Sequence, residues 1–460
     1  MDSPLRRAAL LRAAPSLCMI AGLAILSGCV SYSRKPLLDA EFQQLLERHT
    51  PTETSVVQGV SNDAYAPDDG LTLDEAEMLA LYLNPRLRSA RQASKVFAAS
   101  ADYAGLWQDP EVGADALRIL DNVEKSWIAG ASLSFTIPIS GRLATAKDQA
   151  NAEARVAIVE AWAQEQQLLL ELRQAWAEWE AATETLSISR SLSNDLRRLV
   201  ELTNRREELG ELIAVEAVAF RLAEARLSLE LERLDAAATQ TRLRVVELLG
   251  LLPGADVTLI SDASDAPEGS IAPDLVYQRS PQVVLAAARY FAAEERLRLE
   301  VRKQYPDITL GPLYGNEEGM DRLGIGFSIP IPILNANRQG IAEADAARDA
   351  ARAEWEQAVQ EALSALAQAE AALAAARQRL TSLQETVVPL ADQQIELARQ
   401  LAELGELNTL LILDALQAER EAALDLIQAR ADVHAASARL RSVVPDQAPS
   451  VTSGHEEAAP

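Results

Sequence analysis

Residues 323–333, Leu-Gly-Ile-Gly-Phe-Ser-Ile-Pro-Ile-Pro-Ile, alternate one large apolar residue with one glycine, serine or proline. Successive side chains of an extended strand point to opposite faces, so every large apolar side chain here lies on one face. This pattern is typical of a strand with lipid on one side and water on the other. A soluble antiparallel sheet with one buried face shows the same alternation, so the strand alone leaves both interpretations open.

A second stretch, residues 131–139, has the same alternation about 192 positions earlier. A partner strand is predicted before each copy, at 111–120 and 304–314, with short polar loops near 121–126 and 316–321. Aromatic residues fall near the predicted strand ends, as in the girdles of membrane strands: Trp107, Trp127, Tyr305 and Tyr314.

Other landmarks recur at nearly the same spacing. Residues 208–212, Glu-Leu-Gly-Glu-Leu, return at 403–407, an offset of 195. Asn84-Pro85 returns as Ser280-Pro281, an offset of 196. Together with the alternating strands, these repeats make three landmarks in the same order, which indicates a tandem duplication. Each copy is predicted to contain a helix, two short strands, a very long helix, a tight turn and another long helix.

The predicted helices are far longer than those of a globular domain. Residues 142–203 contain neither Pro nor Gly, which allows a helix of about 93 Å. Apolar residues follow alternating steps of four and three, the pattern of a coiled-coil seam. The predicted seams are Leu168, Leu172, Ala175, Trp179, Ala182, Leu186, Leu196 and Val200 in the first copy, Leu227, Leu231, Leu234, Ala238, Thr241, Val245 and Leu248 in its returning helix, and Leu366, Ala369, Leu373, Ala376, Leu380, Leu383, Val387 and Leu390 in the second copy. Glycines at 210 and 405 suit the chain reversals, so each copy is predicted to form a coiled-coil hairpin.

The N-terminus has the features of an export signal. Three arginines precede the apolar stretch 17–26, which is too short to span a bilayer. Leu26-Ser27-Gly28-Cys29 resembles the bacterial lipobox, which implies that Cys29 becomes the lipid-carrying N-terminus. Val30 after the cysteine is expected to favour the outer membrane. The alternative, a signal in which Cys29 is incidental, stays open.

These landmarks divide the chain into six predicted segments. They are a signal peptide at 1–28, an irregular N-terminal arm at 29–70, repeat 1 at 71–252, a linker at 253–279, repeat 2 at 280–444 and a disordered tail at 445–460.

Composition excludes several classes of function. The formal net charge of −25 argues against a nucleic-acid partner, because phosphate binding requires an excess of Lys and Arg. The histidines, His49, His434 and His455, are far apart in sequence, and no phosphate-binding glycine loop or nucleophile elbow is present. We expect no enzymatic activity and no cofactor apart from the covalent lipid on Cys29.

Four strands cannot close a barrel, and an open sheet edge in lipid leaves backbone groups unpaired. Two chains would give eight strands, too few for an aqueous lumen, whereas three would give twelve. The predicted fold is therefore mainly α with a small membrane β-barrel. Four strands per chain complete a trimeric twelve-stranded barrel, and the duplicated helical hairpins continue it as an α-barrel.

From Leu71 to Val444 the chain resembles the TolC family of outer-membrane efflux proteins. The resemblance rests on the duplicated hairpins, the strand-to-helix segments 134–141 and 328–337, and the turn segment Leu404-Gly405-Glu406-Leu407 followed by Leu413-Asp414-Ala415. It implies a homotrimer in the outer membrane that docks to a periplasmic adaptor and an inner-membrane pump. Tyr305-Pro306-Asp307 and Asn335-Ala336-Asn337-Arg338 are similar to the branch that serves heavy-metal cation exporters.

The resemblance also implies site residues. Leu209, Gly210, Leu404 and Gly405 match the tips that dock the adaptor. Asp414 and Glu216 match acidic positions near the periplasmic gate, where a ring of carboxylates favours cations. Leu411 stands where some members carry a second gate acid. A solvated acid on a helix surface is the simpler alternative for Asp414 and Glu216.

The expected function is a trimeric outer-membrane channel of a tripartite efflux or export system for heavy-metal cations or drugs. A periplasmic coiled-coil adaptor or scaffold lipoprotein is the alternative, because adaptors also combine a lipobox with helical hairpins. Adaptors use one hairpin that interrupts small β-domains, whereas this chain has two hairpins and two strand pairs.

Overall fold

The computed structural model describes residues 32–46, 70–118, 120, 127–261, 272–317, 320–403 and 409–449. The chain divides into two compact units, with the boundary between Arg48 and His49. In the first unit, helix α1 spans Asp39–Leu46. The described part of the arm predicted to be irregular therefore contains a short helix.

The second unit contains two series of elements in the same order. The first series is α2 (Leu73–Leu83), α3 (Pro85–Asp102), β1 (Glu111–Arg118), β2 (Trp127–Ile137), α4 (Arg142–Glu208) and α5 (Ala214–Leu249). The second is α6 (Pro273–Arg279), α7 (Pro281–Arg302), β3 (Ile308–Glu317), β4 (Met320–Ser328), α8 (Arg338–Ser382), a π-helical turn (Leu383–Val387), α9 (Val388–Glu403) and α10 (Thr409–Val443). The predicted fold class, mainly α with duplicated long hairpins and four strands, is confirmed.

Helix α6 lies inside the segment predicted as a linker, 253–279. Pro273 occupies its first turn, where the missing N–H has no helical partner to lose. The helix is the counterpart of α2, so the second series of elements begins with a helix before the predicted start at residue 280. The remaining described linker contains an isolated parallel bridge between Leu259 and Leu71.

The junction between α2 and α3 is fixed by one asparagine. The Asn84 side chain accepts hydrogen bonds from the backbone N–H groups of Arg86 and Leu87, which caps α3. Its Nδ2 donates to the carbonyl oxygen of Leu248 at 2.8 Å, near the end of α5. The buried Asn84 therefore joins the returning helix of the hairpin to the helix that leads to the sheet.

Helix α4 is a single run of 67 residues, five residues longer at its C-terminus than predicted. Its counterpart contains 45, 5 and 16 residues in α8, the π-helical turn and α9. The predicted seam of α4 is buried or half-buried throughout, and so is the seam of α5.

The predicted seam of the second copy is wrong beyond Leu383. Val387 and Leu390 are 43% and 59% exposed, whereas Ala391, Ile395 and Ala398 are buried. A π-helical turn accommodates one extra residue, so every later residue is displaced by one position around the helix. The seam therefore continues at residues displaced by one from the predicted heptad.

The four strands form one antiparallel sheet in the order β1-β2-β3-β4. Strands β2 and β4 end earlier than predicted, at Ile137 and Ser328. Pro138 in one case, and Pro330 and Pro332 in the other, lack the N–H that a ladder hydrogen bond requires. Strand β2 also begins earlier than predicted, at Trp127.

Four clusters of buried side chains hold the helices together. Two are equivalent in the two series: one joins α2 to α4 and α5, and the other joins α6 and α7 to α8 and α10. A third joins α4 to α7 through Val159, Val284 and Ala288. Ala448 packs against this third cluster and Pro445 is buried, so the first residues of the predicted tail lie against the helices.

Candidate functional site

The register of the sheet sorts its side chains onto two faces. Leu133 on β2 pairs with Val112 on β1, and Phe135 pairs with Leu310 on β3. Leu310 pairs in turn with Phe327 on β4. Because paired residues of antiparallel strands lie on the same face, most of the large apolar residues of the four strands share one face. We call it the apolar face. Polar residues lie on it only towards the hairpin ends of the strands, at Arg118, Asn316 and Asp321, and its other members are Val112, Ala114, Ala116, Trp127, Ala129, Ala131, Leu133, Phe135, Ile137, Ile308, Leu310, Pro312, Tyr314, Leu323, Ile325 and Phe327.

The opposite face carries mostly small and polar residues, and its large apolar exceptions are Leu117, Ile128, Leu313 and Met320. Its members include Glu111, Gly113, Asp115, Gly130, Ser132, Ser134, Thr136, Thr309, Gly311, Gly315, Arg322, Gly324, Gly326 and Ser328. On the apolar face, Ile325 is 78% exposed and Leu323 is 84% exposed. Side chains of this size on one face have no partner among the described residues, which is the pattern of a lipid-facing sheet.

A close backbone approach fixes the pairing of β2 with β3. A Cβ atom built at Gly311 would lie 1.7 Å from the carbonyl oxygen of Leu133. The same construction at Gly315, four residues along β3, reaches only the carbonyl oxygen of Ala129, at 4.0 Å. Glycine is therefore required at 311 but not at 315.

The boundary between sheet and helices contains a two-point ion pair. Arg142, the first residue of α4, donates from Nε to Oδ1 of Asp307 at 3.1 Å and from Nη2 to Oδ2 at 2.6 Å. Both side chains are about three-quarters buried. Such paired charge-assisted bonds are strong and directional, so they set the position of α4 relative to the start of β3.

A second polar contact lies at the start of α8. Asn337 has a left-handed backbone, φ 53°, and its Nδ2 donates to the backbone oxygen of Glu300 at 2.9 Å and to Oε2 at 2.7 Å. Burial alone would raise the pKa of Glu300. The hydrogen bonds from Lys303 and Asn337, with the positive charges of Lys303 and Arg296, hold that pKa below its usual value instead.

The tip between α4 and α5 is a glycine-terminated turn. Gly210 has φ +73°, and the N–H groups of Gly210 and Glu211 donate to the carbonyl oxygens of Glu207 and Arg206. This geometry closes a helix C-terminus and reverses the chain. Leu209 beside it is 73% exposed, so an apolar side chain stands free at the tip. The other predicted tip residues, Leu404 and Gly405, lie outside the described residues, as does Cys29.

The three predicted gate residues lie close to the tips on two helices. Glu216 is in the first turn of α5 and is half-buried. Asp414 on α10 is exposed, and Nε2 of Gln394 on α9 donates to its Oδ2 at 3.3 Å. Leu411 is half-buried and packs against an apolar cluster. Leu411 therefore contributes to packing, whereas Asp414 presents a carboxylate to solvent.

That cluster ties the two hairpins together next to the gate candidates. It contains Phe220 and Leu227 of α5, Leu196 and Val200 of α4, Ile395 and Ala398 of α9, and Ile412, Ala415 and Leu416 of α10. Ala217 and Ala415, the residues that follow Glu216 and Asp414, have no exposed surface. Both acids therefore sit on helices whose positions are fixed by shared packing.

One acidic residue near the tips was missed by sequence reasoning. Burial raises the pKa of Glu419 on α10, and the nearby carboxylates of Asp392 and Asp195 raise it further, while Arg399 lowers it. The helical pattern of α10 does not reveal these neighbours, because they lie on α9 and α4. These surroundings disfavour ionisation of the Glu419 carboxyl.

The described residues hold no cluster of His, Cys, Asp and Glu suited to a metal ion. Of the three histidines, only His434 lies in the described part of the chain, on α10. Among the described helices, none carries an apolar run long enough to cross a bilayer.

Comparison with known proteins identifies the second series of elements. Residues 272–444 match the model of the outer membrane efflux protein family. Those residues belong to that family. The match begins one residue before α6 and ends one residue after α10, so it spans the second hairpin and strand pair. The resemblance to TolC-like outer-membrane efflux proteins is thereby confirmed.

Solved structures extend the likeness to most of the chain. A membrane protein from Pseudomonas aeruginosa is 20% identical, with a TM-score of 0.71 over 81% of this chain and 93% of its own. The outer-membrane channel OprN is 19% identical, with a TM-score of 0.70 over 86% and 98%. CusC, described in terms of transmembrane channel formation, is 15% identical, with a TM-score of 0.70 over 91% and 99%. No curated protein sequence matches. The outer membrane efflux protein fold therefore covers both series of elements.

Proposed function

We propose that the chain is one of three identical subunits of an outer-membrane channel. The channel carries substrate from an inner-membrane pump and a periplasmic adaptor to the exterior. The outer membrane efflux protein family supports the channel role, and the fold supports the rest.

The single observation that carries the proposal is a matched pair of open edges in both layers of the structure. In the part of the chain that the structure describes, the edge strands β1 and β4 each pair with one strand alone. In the helical layer, α4 packs against both α3 and α7, whereas α8 packs against α7 and not α3 among the described helices. Strand β1 and helices α3 and α5 therefore lie along one side of the subunit, and strand β4 and helix α8 lie along the other. Copies of the chain placed side by side satisfy both edges at once.

The number of copies follows from the strands. Two copies would supply eight strands, which leave room only for packed side chains, whereas three supply twelve and enclose an aqueous lumen. Closure also removes the unpaired backbone groups that an open sheet would expose to lipid. The apolar face then meets lipid, and the glycine, serine and threonine face meets water.

The gate and the docking tips are assigned by the same proposal. The exposed tip around Leu209 and Gly210, with its counterpart at Leu404 and Gly405, docks the adaptor. Asp414 contributes one carboxylate per subunit, so three form a ring that favours cations over anions. Glu216 is the second gate candidate, and Leu411 supports the ring through packing. The cargo is a heavy-metal cation or a drug, selected by the pump.

The lipid anchor on Cys29 completes the proposal, with the anchored chain in the outer membrane and its hairpins in the periplasm. The alternative is an adaptor or scaffold lipoprotein, which has no channel. Outer-membrane fractionation separates the two, because a protein released by salt washing would fit only the alternative.

Conductance tests the channel and the gate together. Purified protein reconstituted in a planar bilayer is expected to give discrete, cation-preferring current steps. Asp414→Asn is expected to lower the cation-to-anion permeability ratio several-fold, because it removes three carboxylates from a narrow ring. Asp425→Asn is the matched control: it lies three turns further from the tip on the same face of α10, roughly 16 Å along the helix, and pairs with Arg379.

Absence of current steps from correctly assembled protein would overturn the channel function. An unchanged permeability ratio in Asp414→Asn would remove Asp414 from the gate and leave the channel itself in place.

A further inference from the structure

The Arg142–Asp307 ion pair joins the two repeated halves of the chain. Arg142 begins α4 in the first series, and Asp307 precedes β3 in the second. The two residues are 165 positions apart in sequence. The pair therefore marks the place where the end of one strand pair meets the start of the next.

The internal repeat supplies a second copy of both residues. Moving 196 positions forward from Arg142 gives Arg338, the first residue of α8. Moving 196 positions back from Asp307 gives Glu111, the first residue of β1.

The local surroundings of the two copies also match. A residue with a left-handed backbone precedes each arginine: Gly141 with φ 72° and Asn337 with φ 53°. A proline precedes each acid, Pro306 and Pro110. The charges, the helix start and the strand start are thus repeated together.

Within one subunit the second copy is split between opposite edges. Glu111 lies on the β1 edge and Arg338 begins α8 beside the β4 edge. Both residues are exposed, and neither has an ion-pair partner among the described residues. A neighbouring copy that extends the sheet from β4 to β1 brings these two edges together.

We propose that Arg338 of one subunit and Glu111 of the partner subunit form an ion pair equivalent to Arg142–Asp307, once at each subunit seam. The proposal rests on the proposed function in requiring a ring of subunits. The ion pair identifies the residues that close the ring, and the partner is a second copy of this chain.

The same repeat relation predicts the register of the seam. Strand β4 follows β2 by 192 positions at Phe135 and Phe327, and β1 precedes β3 by 196. The observed pair Phe135–Leu310 then corresponds to Phe327 opposite Ala114 of the partner subunit. Ile325 then lies opposite Ala116 of the partner subunit. Large side chains on β4 therefore face small ones on β1, and apolar positions meet apolar positions.

Charge reversal tests the ion pair. Glu111→Arg and Arg338→Glu are each expected to lower the temperature at which the detergent-solubilised trimer dissociates on a gel, because like charges then meet at three seams. The double variant is expected to recover most of that loss, since it restores opposite charges. Arg352→Glu on α8, whose partner Glu356 lies on the same helix, is the matched control and is expected to leave the seam unchanged.

A disulfide tests the register independently of those charges. Ala114→Cys combined with Phe327→Cys is expected to give covalent dimers and trimers on oxidation, since directly opposed strand residues have Cβ atoms about 5 Å apart. Ala114→Cys with Leu323→Cys is the control and is expected to remain uncross-linked, because the two sites are four residues out of register.

The proposed subunit seam and the proposed channel function can be disproved independently of each other. A trimer in which the double reversal gives no recovery and only the control cysteine pair cross-links would overturn the seam and leave the channel proposal standing. Unmodified protein that is monomeric in detergent would overturn the proposed function itself.

Discussion

At the scale of single residues, Gly311 controls how closely β2 and β3 approach. A methyl group there has no space, because the obstacle is the backbone carbonyl of Leu133 rather than a flexible side chain. Relief requires the two strands to separate or slide, and a slide of one residue would exchange the apolar and polar faces. Gly311 therefore maintains the strand register that keeps apolar and polar residues on opposite faces of the sheet.

Gly311→Ala is accordingly expected to reduce the yield of assembled protein in the outer membrane several-fold. Gly315→Ala, on the same strand and face, is the matched control and is expected to assemble normally, because its nearest neighbour is 4.0 Å away. Heat-modifiable migration on gels measures both. Equal yields of the two variants would contradict the assigned strand pairing.

Glu419 gives a second prediction at this scale, on pH. Burial and the carboxylates of Asp392 and Asp195 raise its pKa in the folded state. A carboxyl with a raised folded pKa stabilises the fold below its unfolded pKa, and that contribution is lost as pH rises through the folded pKa. At neutral pH the ionised side chain is therefore unfavourable.

Glu419→Gln, which keeps the shape without the charge, is expected to dissociate or unfold at a higher temperature than the parent protein at pH 7. The difference is expected to shrink as the pH falls below the usual range of a glutamate. Thermal melts at several pH values measure it. A variant less stable than the parent at pH 7 would show that the carboxylate makes a favourable contact instead.

At the scale of elements, the π-helical turn explains why the two hairpins have different spacings. The two helices begin 196 positions apart, at Arg142 and Arg338. From Ala362 onward, buried positions of α8 follow those of α4 by 194, as in Leu172 and Leu366, or Trp179 and Leu373. Beyond the π-helical turn the offset is 195, as in Leu196 and Ala391. One inserted residue, absorbed by the wider turn, accounts for the change.

Deleting Glu385 inside the π-helical turn is therefore expected to leave the fold and the trimer intact, because it converts the turn to regular α-helix without rotating either flank. Deleting Asp195 from α4, which has no such turn, is expected to abolish assembly, since it rotates the part of the helix between that position and the tip by about 100°. Trimer yield and circular dichroism measure both. Loss of assembly in both deletion variants would contradict this account of the turn.

Sequence reasoning succeeded where one periodic signal dominates. The alternation in β2 and β4 and the seams of α4 and α5 were readable because burial repeats every two residues or in steps of three and four. Strand β1 was harder to recognise, because its apolar face carries Val112 followed by Ala114 and Ala116, which give little contrast in hydrophobicity.

Other features depend on contacts that sequence spacing does not encode. The heptad pattern assigned Val387 and Leu390 to the seam because nothing in the residues marks a π-helical turn. Arg142 and Asp307 pair across 165 residues, and neither residue type signals a partner at that distance. The ends of β2 and β4 are different, because the sequence does mark them. The prolines that follow these strands lack the N–H group of a ladder hydrogen bond, although the apolar alternation continues through them.

At the scale of the whole molecule, the chain has the outer membrane efflux protein fold but leaves both of its layers incomplete. Among the described strands, the sheet edges β1 and β4 each have a neighbour on one side alone, and the described helices are bounded on the same two sides. The exposed apolar face suits lipid, whereas the helices α4, α5, α8 and α10 carry many charged and polar residues between their seams. The proposed ring of three subunits would complete both layers.

The most direct measurement is the native mass of the purified, full chain, taken in detergent and again after detergent removal. The account predicts a complex of three chains in detergent, and precipitation or loss of that complex when detergent is removed, because the apolar face then meets water. A monodisperse monomer that stays soluble without detergent would contradict the central claim, since an open four-stranded sheet would then suffice.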